Sequence, residues 1–392
     1  MARICAAFEF GAGNGHTGIS QPICEELCKR GHELVVVGPK HLNLAGCVQV
    51  SHAQKVVFDL SLSHAPVTRG LLNYSAILAQ GGYLNREALK QQVSIWVQVL
   101  KSHQIDAVFA SFAPTAMIAA AICNIPYNAI GLGYECPPLE KPMPSMDPHA
   151  SGPKGILEAV DKRLLTVIND VATEFGGQPF EAVKDIFGPY APLLTMTPEL
   201  DQYPNRQNGQ YIGPVYSPIQ SGRKPVWPGG KGAKVFAYLP GDHPLLPGLV
   251  SSLGHLKYPA LIVLRGEPAQ VFSVKTNVKI SYDLFDISAV LEEADVMVCH
   301  GGNLMTNSIL HGKPTLMLPL FQEQHMAAFA GARHDLLHVC DTRRHLKSCL
   351  KLCATDVTFK NTLRAYAEKR KNYRDVNATI TRCSDLIERL VN

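Results

Sequence analysis

Val298-Cys299-His300-Gly301-Gly302-Asn303, running on through Gly312-Lys313-Pro314 and Leu316-Met317-Leu318-Pro319 to Gln322-Glu323-Gln324-His325, reads as strand, glycine turn, helix, strand and loop. The apolar run from Asp295 to Cys299 has the character of a buried parallel strand, and the glycines after it let the backbone turn sharply and approach a ligand. The pattern predicts a helix over 303–311. Its first N–H groups would lack partners and point at the turn, which makes a site for a phosphate group, with His300 beside it.

In order and at this spacing, these residues resemble the donor signature of the inverting nucleotide-sugar glycosyltransferases of the GT-B fold, of the UDP-glycosyltransferase-like, natural-product type. That signature runs H-G-G, G-[VK]-P, P, then [DE]-Q, matched here by His300, Gly301, Gly302, Gly312, Pro314, Pro319, Glu323 and Gln324. The resemblance implies an α/β chain of two Rossmann-like domains facing each other across a cleft. It implies that the H-G-G turn holds the donor diphosphate and that Glu323 and Gln324 take hydroxyls of the transferred sugar. Singly, each feature has a plainer reading: Gly-Gly after a strand is an ordinary βα turn, and Glu-Gln opens many helices.

At 392 residues the chain exceeds what one core usually supports, so two domains are expected. A hydrophobic content of 46% with 18% charged residues describes a globular protein, and a net charge of +4 argues against a dedicated nucleic-acid binder. The basic run Lys369-Arg370-Lys371 with Arg374 reads as a solvated helix face. The 11 cysteines form no C-x-x-C pair, and their odd, scattered set without a signal peptide points to a reducing compartment and a cytoplasmic protein. Cys24 with Cys28, and Cys349 with Cys353, are helix neighbours without histidines at metal spacing, so no metal site is read. No apolar run approaches the length of a membrane span.

In the first half, residues 3–10 form a strand-like run that enters Gly11-Ala12-Gly13-Asn14-Gly15-His16. Residues 19–30 then have helical periodicity, and 33–37 make another buried strand. A lone G-x-G-x-x-G would suggest a dinucleotide site, but the spacing Gly11, Gly13, Gly15, Gly18 fits poorly and no acid closes the second strand. The resemblance accounts for it better, as the acceptor-side opening of the same glycosyltransferases, with Gly13, Asn14 and Gly15 at the acceptor. By resemblance, His16 is the general base, a role suited to a side chain that titrates near neutrality. The plainer reading is a capping or packing histidine. Family members orient this histidine with an aspartate after a later strand, where this chain has Ser111, so another acid such as Glu9 or Glu135 substitutes or proton transfer works differently. Residues 84–103 read as an amphipathic helix, 114–123 as the next, and 124–130 as a strand. The loop from Gly131 to about 152 is expected to line the acceptor pocket with Tyr134 and Glu135.

In the second half, residues 155–188 are expected to be helical with a break near Gly176, and 193–196 a short strand. The proline- and glycine-rich stretch 217–233 is read as the linker between an acceptor domain, 1–216, and a donor domain, 234–375. Strands are expected at 234–239 and 260–264, the second closed by Arg265, which is suited to pairing with the donor phosphates. Phe285 and Ile287 are candidates for the floor under the nucleotide base. Residues 357–391 read as helical, and by resemblance the last part, 376–392, returns to the first domain.

The resemblance covers nearly the whole chain and is strongest at 11–37, 106–138 and 295–325. It implies sugar transfer, without metal or other cofactor, from a UDP- or dTDP-sugar to a hydroxyl with inversion. The acceptor is left open as a small molecule, a lipid or a nucleoside, and the assembly as a monomer or homodimer. The family continues H-G-G-x-G-[ST], whereas this chain has Asn303-Leu304-Met305-Thr306, without that further glycine. Asn303 and Thr306 are candidates to contact phosphate or ribose, and the departure points to an unusual or weakly held donor. Two other readings stay open: a nucleotide-sugar epimerase, and a sugar-nucleotide binding protein that has lost catalysis.

Overall fold

The structure, a computed structural model, describes residues 1–11, 15–40, 42, 44, 53–59, 70–147, 154–207, 209–215, 223–268 and 272–391. Gly13 and Asn14 lie outside the described residues. The chain divides into two compact units, Met1–Ser217 with Val376–Asn392, and Pro218–Asp375.

The first unit contains, in chain order, β1 (Arg3–Phe8), α1 (Gly15–Lys29), β2 (Glu33–Pro39), β3 (Ala53–Phe58), α2 (Tyr74–Leu78), α3 (Arg86–Ser102), β4 (Ala107–Ser111) and α4 (Pro114–Ile122). It continues with β5 (Tyr127–Gly131), α5 (Lys154–Glu174), β6 (Leu193–Leu194) and β7 (Gln210–Tyr211). Among the described residues these make a seven-stranded sheet in the order β3-β2-β1-β4-β5-β6-β7, every neighbouring pair parallel. Parallel strands need crossover helices, which cover both faces, so β1 and β4 are buried along their whole apolar length apart from the partly buried Arg3. The sheet grows outward from β1 to β3 and resumes at β4, with Phe8 in register with Ser111. The loops after β1 and β4 therefore leave the sheet side by side.

The second unit repeats the plan. It runs β8 (Val235–Pro240), α6 (Leu246–Leu256), β9 (Ala260–Arg265), β10 (Val278–Ser281), α7 (Ile287–Glu293), β11 (Val296–Cys299) and α8 (Gly302–Leu310). It ends with β12 (Thr315–Met317), α9 (Gln322–Ala332), β13 (His338–Val339), α10 (Leu346–Thr355) and α11 (Val357–Lys369). Its parallel sheet has the order β10-β9-β8-β11-β12-β13, so the reversal falls between β8 and β11, where Cys299 pairs with Tyr238. The stretch expected as linker is packed from residue 223 onward: the Trp227 indole donates to Glu293 at 2.8 Å, and the Arg223 carbonyl accepts from the Asp286 amide at 2.9 Å.

Two long helical expectations are corrected. The helix from 154 stops at Glu174, where Gly176 takes φ +81°, and only a short turn at Val183–Phe187 follows. The run 357–391 breaks after Lys369, passes through a turn at Lys371–Arg374, and resumes as α12 (Val376–Glu388) in the first unit. Arg374 is not simply a solvated charge: its guanidinium donates to the Leu310 and Ala367 carbonyls, both at 2.7 Å, which satisfies open carbonyls at the ends of α8 and α11.

α12 lies against α1 and lends Ile380, Cys383 and Ile387 to the cluster that holds Ile4, Phe8, Ile23 and Leu27. At its rim, Arg30 reaches Asp385 and Glu388 at 2.7 Å, and His32 reaches Glu388 at 2.8 Å. A second tie joins β1 to α4. Glu9, fully buried just past β1, accepts the Thr115 amide at 2.7 Å at the start of α4, with the Tyr83 hydroxyl at 3.5 Å. Burial pushes this carboxyl from an ordinary 4.5 up to about 7, against the pull of those hydrogen bonds.

Ile387→Ala is expected to lower unfolding stability by about 2–4 kcal/mol, and Arg30→Ala at the rim by about 1 kcal/mol or less, both measurable by urea unfolding. Because native Glu9 holds its proton more tightly than the unfolded chain does, its contribution is intact below pH 4.5 and is lost as pH rises toward 7. Glu9→Gln should therefore gain stability relative to wild type between pH 5 and pH 8, by up to roughly 3 kcal/mol. A difference that is flat with pH would show that Glu9 is ionised at no cost.

Candidate functional site

At the carboxyl edge of the first sheet, Glu9, Phe10 and Gly11 carry the chain past β1, and α1 opens at Gly15, which puts His16 in its first turn. The adjacent β4 ends at Ser111. Phe112 follows with φ +49°, a left-handed conformation uncommon for a residue with a side chain, and its carbonyl accepts the Phe10 amide at 2.9 Å. The two loops are thereby tied together. The Phe112 ring lies 5.4 Å from Phe10, 5.7 Å from His16 and 6.0 Å from Tyr134, an aromatic wall around the imidazole.

His16 meets polar groups on both ring nitrogens. Ser111 Oγ is 3.3 Å from Nδ1, and Glu135 Oε1 is 3.9 Å from Nε2. The ring fits because residue 11 is glycine: a Cβ there, at φ +108°, would stand 2.5 Å from Nε2. Of the two acids weighed as substitutes for the aspartate, Glu135 faces His16, while the Glu9 carboxylate is engaged with Thr115 and Tyr83. Glu135 is 7% exposed, its other oxygen accepts the Leu132 amide at 2.5 Å, and burial pushes its pKa up to about 7.

The loop carrying Tyr134 and Glu135 is fastened from below by a buried ion pair that sequence reading did not find. Asp201 and Arg206, 2% and 1% exposed, meet at 2.5 Å, and Arg206 also donates to the Cys136 carbonyl at 2.8 Å. Tyr211 donates to Asp201 at 2.6 Å, and the Tyr134 amide donates to Gln202. The contacts of Arg206 with Cys136 and of Gln202 with Tyr134 span 70 and 68 residues and leave no sequence signal.

In the second unit, β8, β9, β11 and β12 end on one edge, around the reversal of strand order. His300 leaves β11 beside Tyr238, its ring 6.3 Å from that of Tyr238. Gly301 and Gly302 then turn at φ +134° and +69°, and α8 starts without a side-chain cap, leaving its first amides directed at the edge. A Cβ on Gly301 would lie 3.0 Å from the Met317 methyl and 3.5 Å from Gln324 Cγ. His300 is held neutral: burial, opposed by a hydrogen bond to the Tyr238 backbone and aided by the nearby charge of Arg265, drops its pKa to about 4. Its Nδ1 is buried without a hydrogen-bond partner.

The remaining donor candidates separate by environment. Asn303 is partly exposed in the first turn of α8, whereas Thr306 is 5% exposed and turned inward. Arg265 is exposed at the end of β9, and Glu323 is half-buried in the first turn of α9. The Gln324 carbonyl oxygen is committed to the Leu320 and Phe321 amides at 2.8 and 3.3 Å, which leaves only its NH2 for a ligand. Phe285, expected under a nucleotide base, is core: it packs with Phe236, Val263, Val290 and Met297, and Ile287 borders the same cluster. His243, unassigned by sequence, bridges two strand ends. Its Nδ1 accepts the Leu245 amide at 3.2 Å and its Nε2 donates to the Leu318 carbonyl at 3.1 Å, which fixes a neutral tautomer.

Among the described residues, no three His, Cys, Asp or Glu side chains converge as a metal site, and no helix is long and apolar enough to cross a membrane. No family model matches the sequence, and no curated protein matches it. Solved structures do. The glycosyltransferase of kitacinnamycin is similar at TM-score 0.71 and 20% identity, over 100% of this chain and 99% of its own. The calicheamicin glycosyltransferase CalG4 is similar at TM-score 0.68 and 15% identity, over 100% and 98%. The glycosyltransferase VinC in complex with dTDP is similar at TM-score 0.64 and 18% identity, over 100% and 99%. Two parallel α/β units, similar over their full length to these enzymes, give this chain the GT-B fold of the natural-product glycosyltransferases.

Proposed function

We propose that the protein is an inverting, metal-independent glycosyltransferase that moves a sugar from a nucleoside-diphosphate donor to a hydroxyl of a small-molecule acceptor. The observation that carries this reading is the uncapped start of α8 on two positive-φ glycines at the reversal point of the second sheet. Such a helix start concentrates partial positive charge and backbone donors where a diphosphate would lie. Stabilising the charge that develops on the leaving diphosphate is the electrostatic work a cation otherwise does. His300 suits this place, since its Nδ1, buried without a hydrogen-bond partner, can donate to a phosphate oxygen when it carries the ring's N–H.

In this reading His16 takes the proton of the acceptor hydroxyl as the new bond to the anomeric carbon forms, and Arg265 and Asn303 add contacts to the phosphates. The dTDP bound in VinC and the thymidine diphosphate bound in the spinosyn rhamnosyltransferase SpnG support a dTDP- or UDP-sugar as the donor class.

A panel of nucleotide sugars tests this, with nucleoside diphosphate release and thermal shift read with and without EDTA. Wild type should release diphosphate from at least one donor, unaffected by EDTA, and His16→Ala should lose roughly 100-fold or more in rate while keeping the donor-induced rise in Tm. No thermal response to any donor would overturn the reading. Gly301→Ala, which forces a side chain into φ +134° at the turn, should abolish the donor-induced rise while the variant still unfolds cooperatively.

A further inference from the structure

We infer that Glu135 is the carboxylate that works with His16, and that the imidazole is used with Nε2–H turned to Glu135 and Nδ1 left to receive the acceptor proton. This rests on the glycosyl-transfer reading and adds to it a positioning residue and a direction for the proton.

Three observations carry it. Glu135 Oε1 stands 3.9 Å from Nε2, in ion-pair range and one small adjustment from a hydrogen bond, and contacts of this kind tighten when substrate binds. The opposite nitrogen lies 3.3 Å from a neutral hydroxyl, Ser111 Oγ, a loose contact that an acceptor hydroxyl can replace by rotation of the serine. The Cδ2–Nε2 edge also lies over Gly11, close enough that a Cβ would come within 2.5 Å, so the Nε2 side is closed by backbone as well as by the acid. Turning the ring by 180° would set carbon atoms against both oxygens, so the contacts fix its orientation.

The carboxylate is built to hold this position. Its second oxygen is fixed by the Leu132 amide, and its loop is tied by the Arg206–Asp201 pair through the Cys136 carbonyl. The other described groups near the pair are engaged elsewhere or neutral. On the β1 side, Glu9 is turned to Thr115, and on the β4 side stand Ser111 and Phe112. Near Glu135, Tyr74 and Cys136 are pushed far up by burial and stay neutral, and Asp201 is balanced by Arg206. In the step itself, the acceptor oxygen bonds to the anomeric carbon as the bond from that carbon to the diphosphate oxygen breaks and its electron pair leaves with the diphosphate. The acceptor proton moves to Nδ1, and the imidazolium is stabilised through Nε2–H by Glu135 before the proton passes to solvent.

The test is a 15N–1H correlation of the histidine side chains, with His16 identified by the cross-peak lost in His16→Ala. Resting wild type should show the Nε2–H tautomer. Glu135→Gln should lower the pKa of His16 by about one unit, because a carboxylate beside an imidazole favours its charged form. Ser111→Ala should leave it within a few tenths of a unit, and amide spectra check that each variant is folded. The acid limb of the kcat/KM profile should move to lower pH in Glu135→Gln with the same sign, which a purely structural role would not produce. An Nδ1–H tautomer in wild type, or an unmoved His16 pKa in folded Glu135→Gln, would overturn the inference. Since tautomer and pKa are read without turnover, a His16 that behaves as stated in a protein that answers no donor would sink the transferase reading and leave the pairing standing.

Discussion

A parallel strand can be joined to its neighbour only by a crossover, and the crossover buries the faces of the sheet, so the strand ends are the places where chain and ligand can meet. Both sheets here obey that constraint. In each, strand order reverses once, between β1 and β4 and between β8 and β11, and the two loops at the reversal part in opposite directions across the sheet. His16 with Ser111, and His300 with the Gly301-Gly302 turn, stand at those openings. The positive-φ residues Gly11, Phe112, Gly301 and Gly302 gather there because the chain must leave a buried strand abruptly.

The same residue type is handled in opposite ways at the two openings. His16 has the buried Glu135 carboxyl 3.9 Å from its Nε2. For His300, burial and the charge of Arg265 hold the ring neutral. Local sequence, glycine beside histidine in both, does not tell these two surroundings apart.

Much of the fold was legible because buried parallel strands are continuous apolar runs: β1, β2, β4, β8, β9 and β11 all stood out. The edge strands did not. In β3, Gln54, Lys55 and Val57 are exposed, and β10 has a single fully buried residue, Val278, so neither carries a core pattern. The turn at His300 and the histidine at 16 were legible through spacing and resemblance. What stood against them was not, since register and loop path decide it. That Glu135 rather than Glu9 faces His16 depends on the path of the loop after β5, and the Arg206–Asp201 pair reaches that loop through Cys136, 70 residues earlier. Phe285 shows the opposite limit: an aromatic before a site motif is also what a sheet needs beneath it.

The place of α12 has a consequence for how the molecule is made. Its residues are translated after the whole of the second unit, yet Ile380, Cys383 and Ile387 fill a cluster with β1 and α1, which are made before that unit. On the ribosome, the first unit therefore waits with one face of α1 uncovered while some 150 residues are added and folded, about ten to thirty seconds at ordinary elongation rates. Of the two units, the one begun first is the one completed last, with that face of α1 lacking its cover during the interval.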